Sequence, residues 1–566
     1  MATSNIYTES SNSNELFIGD TSGQTLYERS EKAFQEVVQW QGLWQTVLHF
    51  VAPNSNSFYR ASGTRKQVNV YDNTPMYFAN MFIAQFISNI FPPRSRFATL
   101  TPSHGMVRRY LEQNQISVDS ESDFESAREI LSIGCEKLSA QIYDLILDSN
   151  FDMVLPRLVL NYMISCGAAH VSHDHYRGHG ISFQVPTLGT FAFDTDAFGN
   201  IYGVYYASAM SLQNAQLQWD LVNLPENVQP KTTVQLIECV VKDRIKTKNG
   251  RLKNVWKYVV LMSPGKGARN KGAANEVTVP VYFDSCPWSF MRAESVRSEV
   301  WGRGRLVEVL QDIMRINNTT RNRVISEDIA ASPMFLYKDD GSINSSNIRF
   351  QPGAMLKVRD TGSKNGASIV PLTMPYNLAL NENVRQNNNA AIQKLLVGDP
   401  MLMQDRNSYQ TATEYTSRQH QNQMMWSKDY GKIVAFAKNI LLSVCDLGLS
   451  SGEIVLPAEL ALFEGSYDLD YFGVKLEAPI SKMYNMQEVE SLVSAVQIIG
   501  SIDPQLLSNG FDLAKIPDWI AEKLGIDHEI LRTQEEKEAL QMQAQDMATK
   551  MSGVANLLEL NSSETM

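Results

Sequence analysis

Cysteine is scarce in this chain, and what there is does not cluster. Cys135, Cys166, Cys239, Cys286 and Cys445 are odd in number, widely spaced and free of any CxxC pair. That pattern excludes a disulfide framework and a thiolate zinc cage, and fits reduced thiols in a cytosol. A long apolar run is missing too. The stretch Met76–Phe91 is broken by Asn80, Gln85, Ser88 and Asn89, short of the ~18 uninterrupted apolar residues of a membrane span. Met1 to Asn14 is rich in Ser, Asn and Thr and has no apolar centre of the kind a signal peptide carries. The expectation is a protein without membrane contact, assembled in cytoplasm. No solenoid period is visible. Positive charge is in deficit: 50 Lys and Arg stand against 61 Asp and Glu, a net charge of -11. A protein that coats DNA through a basic surface is thereby disfavoured. A channel that DNA merely traverses is not, because tight binding would hinder passage.

What is present is the composition of an ordered globular protein. The chain has 566 residues, 43% hydrophobic and 20% charged. That length exceeds what one hydrophobic core supports, so several subdomains are expected. Apolar residues recur at helical spacing from Leu26 to about Val51. Further helices are predicted at Asn73–Ile90, Ser120–Leu147 and Phe151–Cys166. Residues 168–285 are then rich in β-branched and aromatic residues and in turn signals. Thr190–Phe193 and Ile201–Ala207 read as one hairpin, Val234–Ile245 and Val255–Met262 as another around Asn249-Gly250. A short helix is expected at Ser211–Trp219. A long helix follows over Arg305–Ala331, stopped by Pro333. Met334–Lys338 and Ser342–Ile343 flank the turn Asp339-Asp340-Gly341 in a small β unit. Long helices then run over Leu378–Val397 and Gln410–Leu447, and the region from Met483 to Met551 reads as helical. Its thin apolar stripe, Leu540, Ala544, Met547 and Met551, fits either a solvated amphipathic helix or one packed against copies of itself.

Motifs for chemistry are incomplete. Gly267 to Ala273 has the glycine spacing of a phosphate loop but lacks its Lys and its Ser or Thr. Gly302-Arg303-Gly304 precedes a helix without the third glycine of a dinucleotide site. Asp194 to Gly199 resembles the start of a calcium loop, but Phe198 replaces a ligand and Tyr205 stands where a bidentate Glu is required. His170, His173, His175 and His179 crowd into ten residues. On a strand, His173 and His175 would share a face and could hold a metal. This leaves a metal-dependent enzyme as an alternative; the plainer reading is a polar, solvent-facing turn. No GxSxG or HExxH appears. The expectation is no enzyme and no cofactor.

Several short blocks occur in a telling order. They are Pro287-Trp288-Ser289-Phe290-Met291-Arg292, Trp301-Gly302-Arg303-Gly304, Leu310 to Asn317, Ala330-Ala331-Ser332-Pro333 through Gln351-Pro352-Gly353, Thr411 to Glu414 with Arg418, and Leu531 to Glu536. With the β-rich Phe191–Trp219, they resemble the head-to-tail connector, or portal, family of short-tailed, podovirus-type bacteriophages. The likeness spans roughly Leu26 to Leu540. Arg305 stands where the family often has Pro after the Gly-Arg-Gly triplet.

The resemblance implies an α+β, mainly helical portal fold with crown, wing, stem and clip, assembled as a ring, typically a dodecamer. Its implied parts are a polar arm (1–25), a helical wing (26–167), a β-rich wing (168–285) and stem helix 1 (286–332). They continue as the clip (333–376), stem helix 2 (377–397), the tunnel loop (398–409), a wing helix leading to the crown (410–482), and the crown with its tail (483–566). The implied function is a virion subunit at the capsid portal vertex, forming the channel for packaging and ejection of double-stranded DNA. Implied partners are the terminase motor, tail adaptor proteins, major capsid and scaffolding proteins and internal core proteins. Another virion structural protein, such as a tail adaptor, is the rival within the same class. The resemblance places the clip docking region around Lys338, Asp339 and Asp340 and the tunnel loop over 398–409; in that loop Met401 and Met403 read as adaptable apolar contacts and Arg406 as the best single candidate for a phosphate contact, with an ordinary inter-helix loop as the competing reading. Asn381, Arg385, Asn388 and Lys394 would line the channel. Asn is a poor helix former, so the Asn and Gln of 378–397 suit a neutral, hydrated wall that does not grip phosphate. Leu380, Val384, Ala391 and Leu395 would form its apolar stripe, with Leu306, Leu310, Ile313 and Val324 on the first stem helix.

Overall fold

The computed structural model describes residues 7–8, 23–53, 70–115, 121–174, 178–222, 231–247, 252–262, 275–296, 299–331, 335–338, 355–358, 369–371, 378–397, 412–463, 472–502 and 516–524. It is a mixed α+β fold in which helix predominates. Two compact units are present, Met1–Lys475 and Leu476–Met566.

The first unit opens with β1 (Tyr7–Thr8), α1 (Gly23–Val51) and α2 (Thr74–Ile90). In α2, Phe78, Phe82, Phe86 and Ile90 recur every fourth residue and are all buried. β2 (Ala98–Pro102), α3 (His104–Gln113), α4 (Glu121–Asp148) and α5 (Phe151–Ile164) follow. Ser103 starts α3 by accepting the Met106 N–H. The Tyr143 hydroxyl of α4 accepts the N–H groups of Phe97 and Ala98, both at 2.9 Å, and so ties β2 to that helix. β2 and α3 carry no long periodic signal in the sequence.

The helix expected over Phe151–Cys166 ends early. Cys166 opens β3 (Cys166–His173). Gly167 passes so close to α5 that a Cβ would stand 2.7 Å from the Leu158 carbonyl. The small residues Gly167, Ala168 and Ala169 thus serve a close crossing.

β4 (Ile181–Gln184), β5 (Phe191–Thr195) and β6 (Ile201–Ser211) lead to α6 (Leu212–Gln218), where Ser211 caps the Asn214 N–H. β7 (Thr233–Thr247), β8 (Leu252–Met262), β9 (Asn275–Glu276), β10 (Val281–Phe283) and β11 (Trp288–Arg292) complete this region. Both expected hairpins are present. The larger sheet has the order β10-β8-β7-β6-β5, with β1 on β7 and β9 on β8; a second sheet runs β11-β3-β4. At the β5–β6 turn, Asp196 Oδ1 accepts the N–H groups of Phe198 and Asn200 at 2.9 and 2.8 Å, and Gly199 takes a positive φ of 86°. The carboxylate serves the turn itself.

The helix expected as one piece from Arg305 is two, α7 (Arg305–Glu308) and α8 (Leu310–Ala331), broken at Val309 (φ -90°, ψ 2°). β12 (Phe335–Lys338), β13 (Met355–Val358) and β14 (Ile369–Pro371) form a three-stranded sheet. β12 pairs in parallel with β13, and antiparallel with β14. The short partner expected at Ser342–Ile343 lies outside the described residues. α9 (Leu378–Leu396) and α10 (Ala412–Ser451) follow, and β15 (Phe472–Leu476) pairs with β2. Within α10, Lys428–Ser451 has a mean hydropathy of 1.6 and is long and apolar enough to cross a membrane. Phe436, Ala437, Ile440, Leu441 and Val444 are instead buried within the unit. Among the described residues this core helix is the one that is long and apolar enough to be a candidate span. The second unit contains α11 (Pro479–Ile502) and α12 (Ile516–Leu524), joined where Asn485 donates to the Lys523 carbonyl at 2.7 Å and Lys523 pairs with Glu488 at 2.6 Å.

Candidate functional site

The Trp-Gly-Arg-Gly block is a structural junction. Trp301 is buried among Trp44, Phe191 and Phe193, with ring centroids 4.8, 5.4 and 4.6 Å away. A Cβ on Gly302 would meet the Ala293 carbonyl oxygen at 2.5 Å, and one on Gly304 the Met163 carbonyl oxygen at 2.0 Å. The glycines are there because backbone lies against backbone. The Gly304 N–H donates to the Ile164 carbonyl at 3.0 Å, which joins α7 to the end of α5. Arg305 then pairs with the buried Asp429 of α10 at 2.9 Å and lies over the Phe82 ring. One short motif therefore fixes α1, α2, α5, α7 and α10 together, and sets the direction in which α8 leaves the core.

α8 and α9 pack side by side and run antiparallel. Arg323 of α8 reaches Glu382 of α9 at 2.8 Å, and Glu382 also receives Arg385 at 2.7 Å. The Arg385 hydrogen bond holds the Glu382 carboxyl below its ordinary range. The loop before α2 holds α8. The Tyr71 N–H donates to Asn317 Oδ1 at 2.7 Å, and Thr320 donates to Asp72 at 2.8 Å.

The two faces of α9 differ from expectation. Asn388 is only 8% exposed, and Ile392 and Leu396 are fully buried. Asn388 thus faces the subunit interior, so its expected lumenal position is corrected; helical spacing puts it in line with Ile392 and Leu396. Arg385, partly exposed, is engaged with Glu382. Ala391 is exposed and Leu395 is 51% exposed. The buried stripe lies one residue on from the expected Ala391 and Leu395. The open face carries Asn383, Gln386, Asn387 and Lys394. On α8, Leu306, Leu310 and Ile313 lead a buried row from α7 onward as expected, whereas Val324 is 40% exposed. Asn381 is on α9, but its side chain lies outside the described residues. Met401, Met403, Arg406, Asp339 and Asp340 lie outside them, as does the Gly267–Ala273 loop. Lys338 ends β12.

Among the described residues the histidines do not converge. His170 is buried in β3 and stacks on Trp288, centroids 4.7 Å apart, and burial lowers its pKa to about 4. The expected solvent-facing turn is corrected at this residue. His173 falls on the opposite face of the strand and His179 is exposed beyond it; His175 lies outside the described residues. Among the described residues no group of three His, Cys, Asp or Glu is placed to hold a metal. Burial pushes the thiols of Cys135, Cys166, Cys286 and Cys445 up to about 12, far from a reactive thiolate.

A cleft of about 780 Å³ lies between β7–β8, the start of β6, β11 and α10. Sequence reasoning missed it, because its walls come from segments far apart in the chain. Lys242, Lys253, Arg292, Lys428 and Lys432 line it, against Asp284 and Glu294. Lys253 pairs with Asp284 at 2.8 Å, Lys428 pairs with Glu294, and Lys432 stands 3.7 Å from Asp429. Arg292 is held by the carbonyls of Val300 and Gly199 at 3.1 and 3.2 Å. Trp256, Trp288 and Phe290 add aromatic surface.

An aromatic junction thus anchors two antiparallel helices, with a small sheet in the chain between them. The chain belongs to the bacteriophage head to tail connecting protein family, whose sequence profile matches residues 23–531. No curated protein matches the chain. Membership makes it a structural component of the phage particle, located at the capsid portal and not an enzyme, that works as part of an oligomer with capsid and tail proteins.

Proposed function

We propose that this chain is the portal subunit of a short-tailed phage, closing into a ring, most simply a dodecamer, around the path of double-stranded DNA. The observation that carries this reading is the antiparallel α8–α9 pair. α9 turns an open face of Asn383, Gln386, Asn387 and Lys394 away from its own subunit. Repeated around a ring, such a face gives a hydrated wall with one cation per subunit. Residues 286–332, which contain α7 and α8, and residues 377–397, which contain α9, form the stem, and residues 333–376, containing the β12–β14 sheet, form the clip. The helical and β-rich regions before residue 286 form the wing, residues 398–409 the tunnel loop, and the region from 483 the crown. The terminase motor docks on the clip during packaging and a tail adaptor afterwards. Assembly takes place in host cytoplasm, with scaffolding and core proteins as further partners.

Arg406→Ala tests the DNA contact. Ring formation should be unaffected, while packaged DNA length or retention changes; unaltered packaging would remove Arg406 from that role. Deleting residues 339–345 should weaken motor binding to assembled rings without preventing their assembly. Normal motor binding would remove the clip assignment.

A further inference from the structure

The basic cleft beside β7 lies apart from α8, α9 and the β12–β14 sheet, and its charge runs against that of the chain. Five cations and two carboxylates line it in a protein of net charge -11. Three of the cations have carboxylate partners, as above. Lys242 has no ion pair among the described residues, and Arg292 is satisfied only by carbonyl oxygens. The cleft therefore has room for about two further carboxylates. Asn200, Asn254 and Asn439 offer amide groups for a peptide backbone, and Trp256 and Phe290 offer apolar surface. A nucleic-acid strand, with a charge at every nucleotide, needs a longer run of free cations than this.

The sequence contains a segment of matching chemistry. Glu9, Glu15 and Asp20 follow β1, and no Lys or Arg precedes Arg29. Both flanks of that segment are anchored on the strands that bear the cleft. β1 pairs antiparallel with β7, Thr8 opposite Lys246, so the chain leaves it heading toward Lys242, about 13 Å along the strand. On the other side, Arg29 of α1 pairs with Asp194 at 3.2 Å, on the β5–β6 hairpin whose Gly199 and Asn200 form the cleft rim. Residues 9–22 can span up to about 45 Å, ample to pass through the cleft between these anchors. We propose that the acidic segment Glu9–Asp20 of this chain docks in the basic cleft, its carboxylates meeting Lys242 and Arg292. The segment acts as a strap that fastens the N-terminal region to the β-rich layer. This docking is independent of the portal reading.

Zero-length carbodiimide coupling of the full-length protein, mapped by mass spectrometry, tests it, since coupling joins a lysine only to a carboxylate in direct contact. The expected products link Lys242, Lys428 or Lys432 to Glu9, Glu15 or Asp20. Lys242→Arg should remove the Lys242 product while the other two lysines still couple to the segment. In the Glu9→Gln/Glu15→Gln/Asp20→Asn variant, a synthetic peptide of residues 9–20 should couple to the vacated cleft at least about tenfold more than in the unaltered protein. Mixing isotope-labelled and unlabelled chains shows whether a strap serves its own subunit or a neighbouring copy; links of either kind support docking. Coupling of these lysines only to Asp284, Glu294 or Asp429 would overturn the proposal. So would binding of a single-stranded oligonucleotide that Lys242→Glu abolishes, without any link to the segment.

Discussion

Glycine and buried acids carry the sharpest consequences at the scale of single residues. Gly304→Ala would drive a Cβ to 2.0 Å from the Met163 carbonyl oxygen, with backbone on both sides and nothing flexible to yield. Destabilisation of about 3 kcal/mol or more is expected, seen as a large fall in the denaturation midpoint. Gly42→Ala, in the middle of α1 with open space around it, should instead stabilise by up to about 1 kcal/mol. Two glycine substitutions of opposite sign separate packing from helix propensity. Glu238 of β7 is the second case. Burial pushes its pKa from 4.5 up to about 7, partly offset by the Tyr258 hydroxyl, which donates to it at 2.9 Å. Between about pH 4.5 and 7 the folded chain holds a proton that the unfolded chain has released. Stability therefore falls as pH rises through that window and levels off above it. Glu238→Gln keeps an acceptor for Tyr258 and should abolish the fall, with a gain on the order of 2 kcal/mol at pH 8 and little change at pH 4. Thermal denaturation across that range reads it out; parallel profiles for both proteins would contradict the assignment. Neither residue announces itself in the sequence. Gly304 sits in a motif that reads as an incomplete nucleotide loop, and its role becomes apparent only when Met163 is found against it.

At the scale of elements, periodicity located most helices and both β hairpins, because each buries a face that repeats along its own length. It failed where an element is short or its neighbours decide. β3 begins inside an expected helix because its small residues suit a close crossing. The break at Val309 carries no Gly or Pro to mark it. On α9, the sequence made a row of asparagines legible but not which of them point inward. Asn388 turns inward beside Ile392, and its Nδ2 finds no partner among the described residues. Asn388→Leu should therefore stabilise the subunit by about 1 kcal/mol, since a buried unpaired donor is lost and similar volume is kept. Chemical denaturation of the variant checks this. Destabilisation would mean that the amide is satisfied by a group supplied on assembly or by water.

At the scale of the whole molecule, the order of short motifs named the family before any contact was known, and residues 23–531 match it. The junction around Trp301 gives those motifs a physical reason: the Pro-Trp block supplies β11, the Gly-Arg-Gly block its close backbone contacts, and the residues after it the α8 helix. The basic cleft remained hidden for the opposite reason. Its cations are scattered from Lys242 to Lys432, and only the tertiary fold assembles them. In the proposed assembly the ring lumen is walled by the open face of α9. Cryo-electron microscopy of the assembled protein tests it most directly. Closed rings with Asn383, Gln386, Asn387 and Lys394 facing the central channel are expected. A protein that stays monomeric under all assembly conditions, or rings in which that face is packed between neighbouring subunits, would contradict it.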